Sequence, residues 1–487
     1  MISFFKKYSV ELFLSLALIY FSFLLFSHLW AQSFWIDEGY SSYVAKYMSL
    51  EWFYKSSYFL FEWLQAICFK LWDINDFRAR FPSVIAHLIS ILLMYLITVK
   101  FSKNKYFWLF SALIFWLLYR EQWWARDARF YSLVQMMFLL WIYTILKWTE
   151  KNSVVYLNLS LIIAGLGAIF HPFLYCLGAI LIAAFFSQYK KCRDWKSIFS
   201  KKYLSTLFIV LVWLIIVIYY WTLWNVLNWT LTNGLSWAAK KYYFIFYSSH
   251  LWGELWLISV SWVMWMLFFI IKKKLNEIIF LVLPFLMFVY ALVIKWYLMH
   301  SRYALLMIPI LILSTALLFY YLSKYLKTKY ALIISSIIVL ISIFLTAKLQ
   351  FTPLENYYFD YTSPQPNFKS AYEIIPDWSN VISWFPTLCD WYYSSRGNCS
   401  NALRVDLVHD WKNKLKDKKA EKYTKIEYLN DVSELKKWIY YLVVDDLTSN
   451  SDNLNKKLYD QFSKKWEVIF WTWKSYNSIF VMKILIN

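Results

Sequence analysis

Apolar residues in this chain gather in long unbroken runs, not in the alternation of a half-buried strand or the narrow stripe of a surface helix. Runs of about 17–25 such residues are long enough to cross a bilayer as helices. Eleven are read, at roughly 8–30, 81–99, 106–120, 132–148, 154–170, 172–188, 203–224, 251–271, 276–296, 303–322 and 329–347. The charges between them agree on a direction. With Lys6 and Lys7 on the cytoplasmic side, alternate loops carry Lys100, Lys103 and Lys105, then Lys147 and Lys151, the basic stretch 190–202, Lys272 to Lys274, and Lys324, Lys327 and Lys329. That puts 19 basic residues on short inner loops and satisfies the positive-inside rule throughout. No small-residue cleavage site follows the first run, so it is expected to stay as an uncleaved anchor.

An odd number of spans leaves residues 350–487 outside the cell membrane. There the pattern changes to helix-like stretches (367–376, 432–438, 452–462) and short strand-like runs (380–384, 439–444, 477–484), which predicts a small α/β domain. The expected organisation is a transmembrane domain over 1–349, with a long first outer loop at 31–80, and an extracytoplasmic α/β domain over 350–487. Amphipathic stretches at about 38–50 and 57–72 suit the membrane interface. Cys389 and Cys399 fall in the outer domain, where an oxidising exterior could join them in a short loop. Cys68, Cys176 and Cys192 show no pairing pattern.

Composition strengthens this picture. Hydrophobic residues make up 61% and charged residues 16% of the chain, against roughly 25% charged in a soluble domain. A soluble enzyme, a disordered chain and a fibrous protein are excluded, and a polytopic α-helical protein integral to the plasma membrane is expected. The net charge of +20 is no nucleic-acid signal, because residues 1–349 carry 32 Lys/Arg against 13 Asp/Glu while 350–487 carry 18 against 17. The excess belongs to membrane-flanking loops. Glycine occurs only 7 times and tryptophan 30 times, yet the two together are an ordinary total. The simplest physical reading is that many tryptophans stand where the native protein has glycine, as when a UGA codon meaning glycine is translated as tryptophan. Trp52, Trp72 and Trp473 sit in turn-like contexts that suit this. The alternative is a chain rich in interfacial tryptophan. Trp123 and Trp124 are therefore not counted among the candidate site residues.

Five outward segments carry chemistry. Trp35-Ile36-Asp37-Glu38-Gly39-Tyr40 places two carboxylates just after the first span. Carboxylates near hydrocarbon are costly and are usually paired or functional, although a helix N-cap is the plainer role for Asp37. The segment from Arg120 to Tyr131 is the outer loop richest in arginine for its length. Arg126 and Arg129, three apart, are expected to share a helix face and suit phosphate through bidentate hydrogen bonds. Asp127 could pair with either, and Arg120 with Glu121. Phe170-His171-Pro172 follows the fifth run. His300-Ser301-Arg302-Tyr303 opens the tenth, with Lys295 nearby and Pro309 beyond. Arg80-Phe81-Pro82-Ser83 starts the second run from the same side and could add a cation. Such a set suits a phosphate-bearing lipid approaching from the outer leaflet.

In order and sidedness these motifs resemble the GT-C membrane glycosyltransferases, in particular the protein O-mannosyltransferase and aminoarabinose (lipid A) transferase branch. The matching elements are the acidic pair Asp37-Glu38, the Arg80 to Ser83 segment, Ala128-Arg129-Phe130-Tyr131, the loop His171, and Arg302-Tyr303 before the Pro309 span. The resemblance covers nearly the whole chain. It implies transfer of a sugar from a polyprenyl-phosphate donor to a hydroxyl acceptor on the outer face, with inversion. Asp37 is then the general base, and Glu38 orients it or holds the acceptor. Arg126, Arg129, Arg302 and Arg80 neutralise the donor phosphate. Asp127, Tyr131, His171, His300 and Tyr303 contact substrate. The expected partners are donor, acceptor and membrane lipid, with no nucleic acid. No cofactor is required, although two carboxylates and a histidine could accommodate a divalent metal. A transporter or flippase of lipid-linked sugars is the alternative. Against it stand the absence of an internal repeat and charges that cluster on loops and not mid-span. A glycan-transferring relative that uses pyrophosphate donors usually brings a larger outer domain, and eleven spans exceed what a mere anchor needs.

Overall fold

The computed structural model describes residues 2–27, 36–47, 59–102, 105–170, 205–213, 269–272, 278–284, 306–326, 367–383, 386–403, 427–429, 439–445, 466–471 and 479–485, with the single residues 29, 34 and 286. The chain forms two compact units. One comprises Met1–Leu25 with Ser83–Leu349, the other Phe26–Pro82 with Gln350–Asn487.

The first unit is helical: α1 (Ile2–Ser27), α4 (Asp76–Phe101, from Ser83 onward), α5 (Lys105–Leu117), α6 (Tyr119–Ala125), α7 (Tyr131–Lys151), α8 (Val154–Phe170) and α9 (Met307–Leu326). Among the described residues three helices are long and apolar enough to cross a membrane, Tyr8–Ser27, Asp76–Phe101 and Tyr131–Lys151. α1 leaves Leu12, Phe13, Leu16, Ile19 and Phe23 exposed. For a water-soluble helix that surface would be a liability, whereas lipid tails solvate it as well as a protein core does. Its other side packs inward, with Phe21 stacked on Trp116 at 4.1 Å between ring centroids. Hydroxyls inside the helices return to their own backbone, as Ser90 donates to Ala86 O and Thr98 to Met94 O. This satisfies polar groups that lipid cannot. α7 ends at Asn152, whose left-handed φ of 51° lets its N–H cap Trp148 O at 2.7 Å. The expected spans at 172–188 and 329–347 lie outside the described residues.

The second unit joins α2 (Ile36–Lys46) and α3 (Phe59–Leu71) to a sheet and two short helices, α10 (Phe368–Glu373) and α11 (Pro386–Tyr393). Six strands, β1 (Asn380–Ser383), β2 (Asn398–Leu403), β3 (Glu427–Leu429), β4 (Ile439–Asp445), β5 (Trp466–Trp471) and β6 (Ile479–Leu485), lie in the order β3-β2-β1-β4-β6-β5. β1, β2, β3 and β4 run parallel, and β6 pairs antiparallel with both β4 and β5. Asn367 caps α10 by accepting from Ser370 N, and α10 buries Phe368, Ala371 and Tyr372. The Tyr372 hydroxyl meets Ser383 Oγ at 2.7 Å, which satisfies a phenol that burial keeps protonated well above its usual range. Cys389 of α11 and Cys399 of β2 form a disulfide. The predicted helices at 432–438 and 452–462 lie outside the described residues.

Two residues among those described have positive φ, Asn152 and Trp378. Trp378, in the turn Pro376-Asp377-Trp378-Ser379, sits at 65° with 87% of its surface exposed. A side chain in the left-handed region costs roughly 1–2 kcal/mol, and so exposed a ring recovers little of that by burial. Pro-Asp-Gly is a common turn sequence for this reason. Trp116 and Trp141 bury their indole N–H groups with no acceptor among the described residues, an uncommon state for tryptophan. Trp72 differs: its ring is covered by the Arg78 guanidinium at 4.8 Å and meets the edge of Phe81. Trp52 and Trp473 lie outside the described residues. Trp378→Gly is therefore expected to raise stability by about 1 kcal/mol, read as a higher Tm. An unchanged or lower Tm would mean that the position is not suited to glycine.

Candidate active site

In the second unit, the helix that carries the acidic pair begins one residue before it, so Asp37 and Glu38 both lie in the first turn of α2. Glu38 is buried, with 1% of its surface exposed, and it does not stand alone. Arg80 Nε donates to Glu38 Oε1 at 2.9 Å, and Nη2 donates to Oε2 at 3.1 Å. A third guanidinium bond runs from Nη1 to Leu29 O at 2.7 Å. The Phe34 ring lies 4.8 Å from the guanidinium carbon. Arg suits this place because its planar fork matches both carboxylate oxygens at once, and neither charge could be buried without the other.

Around this pair the unit is tied by further polar contacts. Gln65 on α3 donates to Ala79 O at 2.8 Å. Asp76, at the start of α4, accepts from Trp391 Nε1 at 2.8 Å and from Lys369 Nζ at 3.2 Å. At the far end of α2, Lys46 Nζ meets Asp390 Oδ2 at 2.8 Å, and the Tyr47 hydroxyl meets both Asp390 oxygens at 3.0 Å. Burial opposes the Lys46 charge, but Asp390 outweighs it and holds the ammonium above its ordinary pKa. Burial, with Asp390 next, pushes the Tyr47 phenol up, so it remains a donor.

In the first unit, Arg126, Asp127 and Arg129 are all buried. They do not share a helix face, as their spacing suggested. α6 ends at Ala125 and α7 starts at Tyr131, so the intervening residues form a tight turn. The break is stabilised from both sides, since Ser132 Oγ donates to Trp124 O and Ser83 Oγ donates to Arg129 O. Arg126 Nη2 reaches Leu24 O at 3.2 Å, and the Arg129 guanidinium faces the Phe130 ring at 5.4 Å. Tyr131 packs against Phe130 and Trp124. Glu121 accepts from Gln135 Nε2 at 2.9 Å inside the helical unit, and the side chain of Arg120, its possible partner, lies outside the described residues. His171, His300, Arg302 and Tyr303 lie outside the described residues.

No group of three His, Cys, Asp or Glu side chains among the described residues could hold a metal ion. Both oxygens of Glu38 are taken by Arg80. The Asp37 side chain and His171, the other groups of the expected metal set, lie outside the described residues. The residues missed from sequence are those that hold α2: Asp76, Asp390, Trp391 and Leu388. Their one sequence signal is Gly39, placed beside the acidic pair in a chain with seven glycines.

Residues 57–221 match the family model described as dolichyl-phosphate-mannose-protein mannosyltransferase. The structure resembles ArnT from Cupriavidus metallidurans in the apo state, with a TM-score of 0.58 and 12% identity over 98% of each chain. It also resembles ArnT of the same organism bound to undecaprenyl phosphate, at TM-score 0.58 and 11% identity, over 97% of this chain and 98% of that one. Residues 57–221 are thus related in sequence to that mannosyltransferase family, and the chain shares the ArnT fold. At these identities the ArnT likeness speaks for the fold, and the family match over 57–221 supplies the relationship in sequence. No protein of curated function matches the chain in sequence.

Proposed function

We propose that this chain is a GT-C membrane glycosyltransferase, which takes a sugar from a polyprenyl-phosphate donor and passes it to a hydroxyl acceptor on the outer face of the plasma membrane, by a single inverting displacement. The observation that carries the donor class is the match of residues 57–221 to a family named for dolichyl-phosphate-mannose, in a chain that shares its fold with ArnT bound to undecaprenyl phosphate. The N-terminus is cytoplasmic, and residues 350–487 lie outside, where the Cys389–Cys399 disulfide is at home.

In this mechanism the acceptor oxygen bonds to the anomeric carbon as the bond from that carbon to the phosphate oxygen breaks. The hydroxyl proton goes to Asp37, which acts as general base on the face opposite the leaving group. Phosphate leaves as an anion whose growing charge is met by Arg126, Arg129 and Arg302. Arg80 is committed to Glu38 and Leu29 O, so its part is to hold Glu38 and, through it, the head of α2. Asp127, Tyr131, His171, His300 and Tyr303 line the path of donor and acceptor.

The test uses the purified enzyme in vesicles loaded with a labelled polyprenyl-phosphate sugar. Label should move to an acceptor fraction with release of the unsugared lipid phosphate. Label that crosses the bilayer still attached to its lipid would replace this reading with transport. Arg129→Ala and Arg302→Ala should each weaken apparent donor affinity about 10- to 100-fold, the loss of one charge-assisted contact. Unchanged donor affinity in both variants removes them from the phosphate site.

A further inference from the structure

We propose that helix α11, tethered by its disulfide, is the positioning element for the acid-bearing helix α2, and that Leu388 and Asp390 set the pitch of Asp37 and Glu38. This rests on the reading of α2 as the catalytic helix.

The contacts run along the whole of α2 and all lie within the second unit. Before the helix begins, Phe34 N donates to the Tyr392 hydroxyl at 2.6 Å, and its ring lies 5.0 Å from that of Trp391. That same ring faces the Arg80 guanidinium that forks Glu38. In the first turn, Gly39 lies so near α11 that a Cβ there would stand 2.4 Å from Leu388 Cδ2 and 2.9 Å from Cγ. Leu388 is fully buried, so it has little room to yield. Two turns further on, Lys46 and Tyr47 close on Asp390. Positions 39 and 46 are seven apart and so face the same way on a helix. One short helix therefore grips both ends of α2 on one side, by shape at Gly39 and by charge at Lys46.

α11 is itself held from behind. Cys389, between Leu388 and Asp390, is bonded to Cys399 on β2. The Tyr393 hydroxyl donates to Pro376 O and accepts from Ser379 N. Trp391 is anchored on Asp76. Each side chain that touches α2 thus adjoins one fixed to the sheet or to α4, which is how a scaffold holds a reacting group to within a fraction of an ångström. A misplacement of about 1 Å can cost 10²-fold in rate.

The test compares Gly39→Ala, the double variant Gly39→Ala/Leu388→Ala, and Asp390→Asn with wild type in the same vesicles. Gly39→Ala should lower kcat about 10- to 100-fold with donor KM within about twofold. The double variant, which removes the obstructing side chain, should recover most of kcat. Asp390→Asn keeps an oxygen for Tyr47 but removes the charge for Lys46, and should lower kcat several-fold at unchanged KM. The inference is overturned if Gly39→Ala and Asp390→Asn keep wild-type kcat, if KM moves in place of kcat, or if the double variant recovers nothing. Should Gly39→Ala fail to fold, Asp390→Asn decides by the same kcat and KM criteria. An inactive Asp37→Asn beside a fully active Gly39→Ala would sink the positioning role alone, whereas an active Asp37→Asn would sink the catalytic reading beneath it.

Discussion

Asp37→Asn should abolish sugar transfer while membrane insertion and donor binding persist. The amide is nearly isosteric with the carboxylate, so packing at the head of α2 is preserved. What it lacks is a site of sufficient basicity to take the acceptor's proton. A positioned general base is worth roughly 10²–10⁴ in rate, and phosphate departure alone cannot supply that factor, because the hydroxyl nucleophile is weak while it keeps its proton. The measurement is the initial rate of transfer in vesicles together with donor binding on the same preparation. More than about a tenth of wild-type rate would assign the base elsewhere, since even the low end of the expected factor is larger.

Arg80→Leu should be the most destabilising single change in the second unit. It removes the partner of a carboxylate that has almost no contact with solvent and leaves Glu38 charged and buried. Breaking such a pair costs about 3–5 kcal/mol, whereas replacing both members with uncharged groups is often close to neutral. The double variant Glu38→Gln/Arg80→Leu should therefore recover most of the thermal stability lost by Arg80→Leu. Transfer should remain impaired in both, because the head of α2 is no longer held. A double variant as unstable as the single one would show that Arg80 acts through Leu29 O or Phe34 and not through Glu38.

The membrane helices were legible because lipid removes ambiguity: a run such as 132–148 has no option but helix, and α7 covers it. Runs read as strands at 380–384, 439–444 and 477–484 coincide with β1, β4 and β6, where Val381, Ile382, Leu442, Val443, Val481 and Ile484 are buried. β2 was not legible, because Asn-Cys-Ser-Asn-Ala-Leu contains no β-branched residue and owes its place to pairing with β1 and β3. α11 was missed although Pro386 at its first position is a helix-start signal. Eight residues are too few to show a period. In the candidate site, residue types could nominate Glu38 and Arg80 separately, but 42 positions divide them and nothing in either segment announces the fork. The turn at 126–130 misled for a related reason. A spacing of three suits a helix face, and the hydroxyls that end α6 come from Ser132 and from Ser83, the latter on another helix.

Lys46 and its partner Asp390 are separated by 344 residues. At a synthesis rate of about 5–20 residues per second, roughly 20–70 s pass between the ribosome's completing α2 and its reaching the residues that grip it. β6, the last strand in sequence, then has to slot between β4 and β5, both of which precede it. A nascent or prematurely released chain therefore carries its carboxylates into the membrane without the parts that aim them. On the positioning role proposed for α11, transfer waits until residues Pro386–Tyr393 have been made.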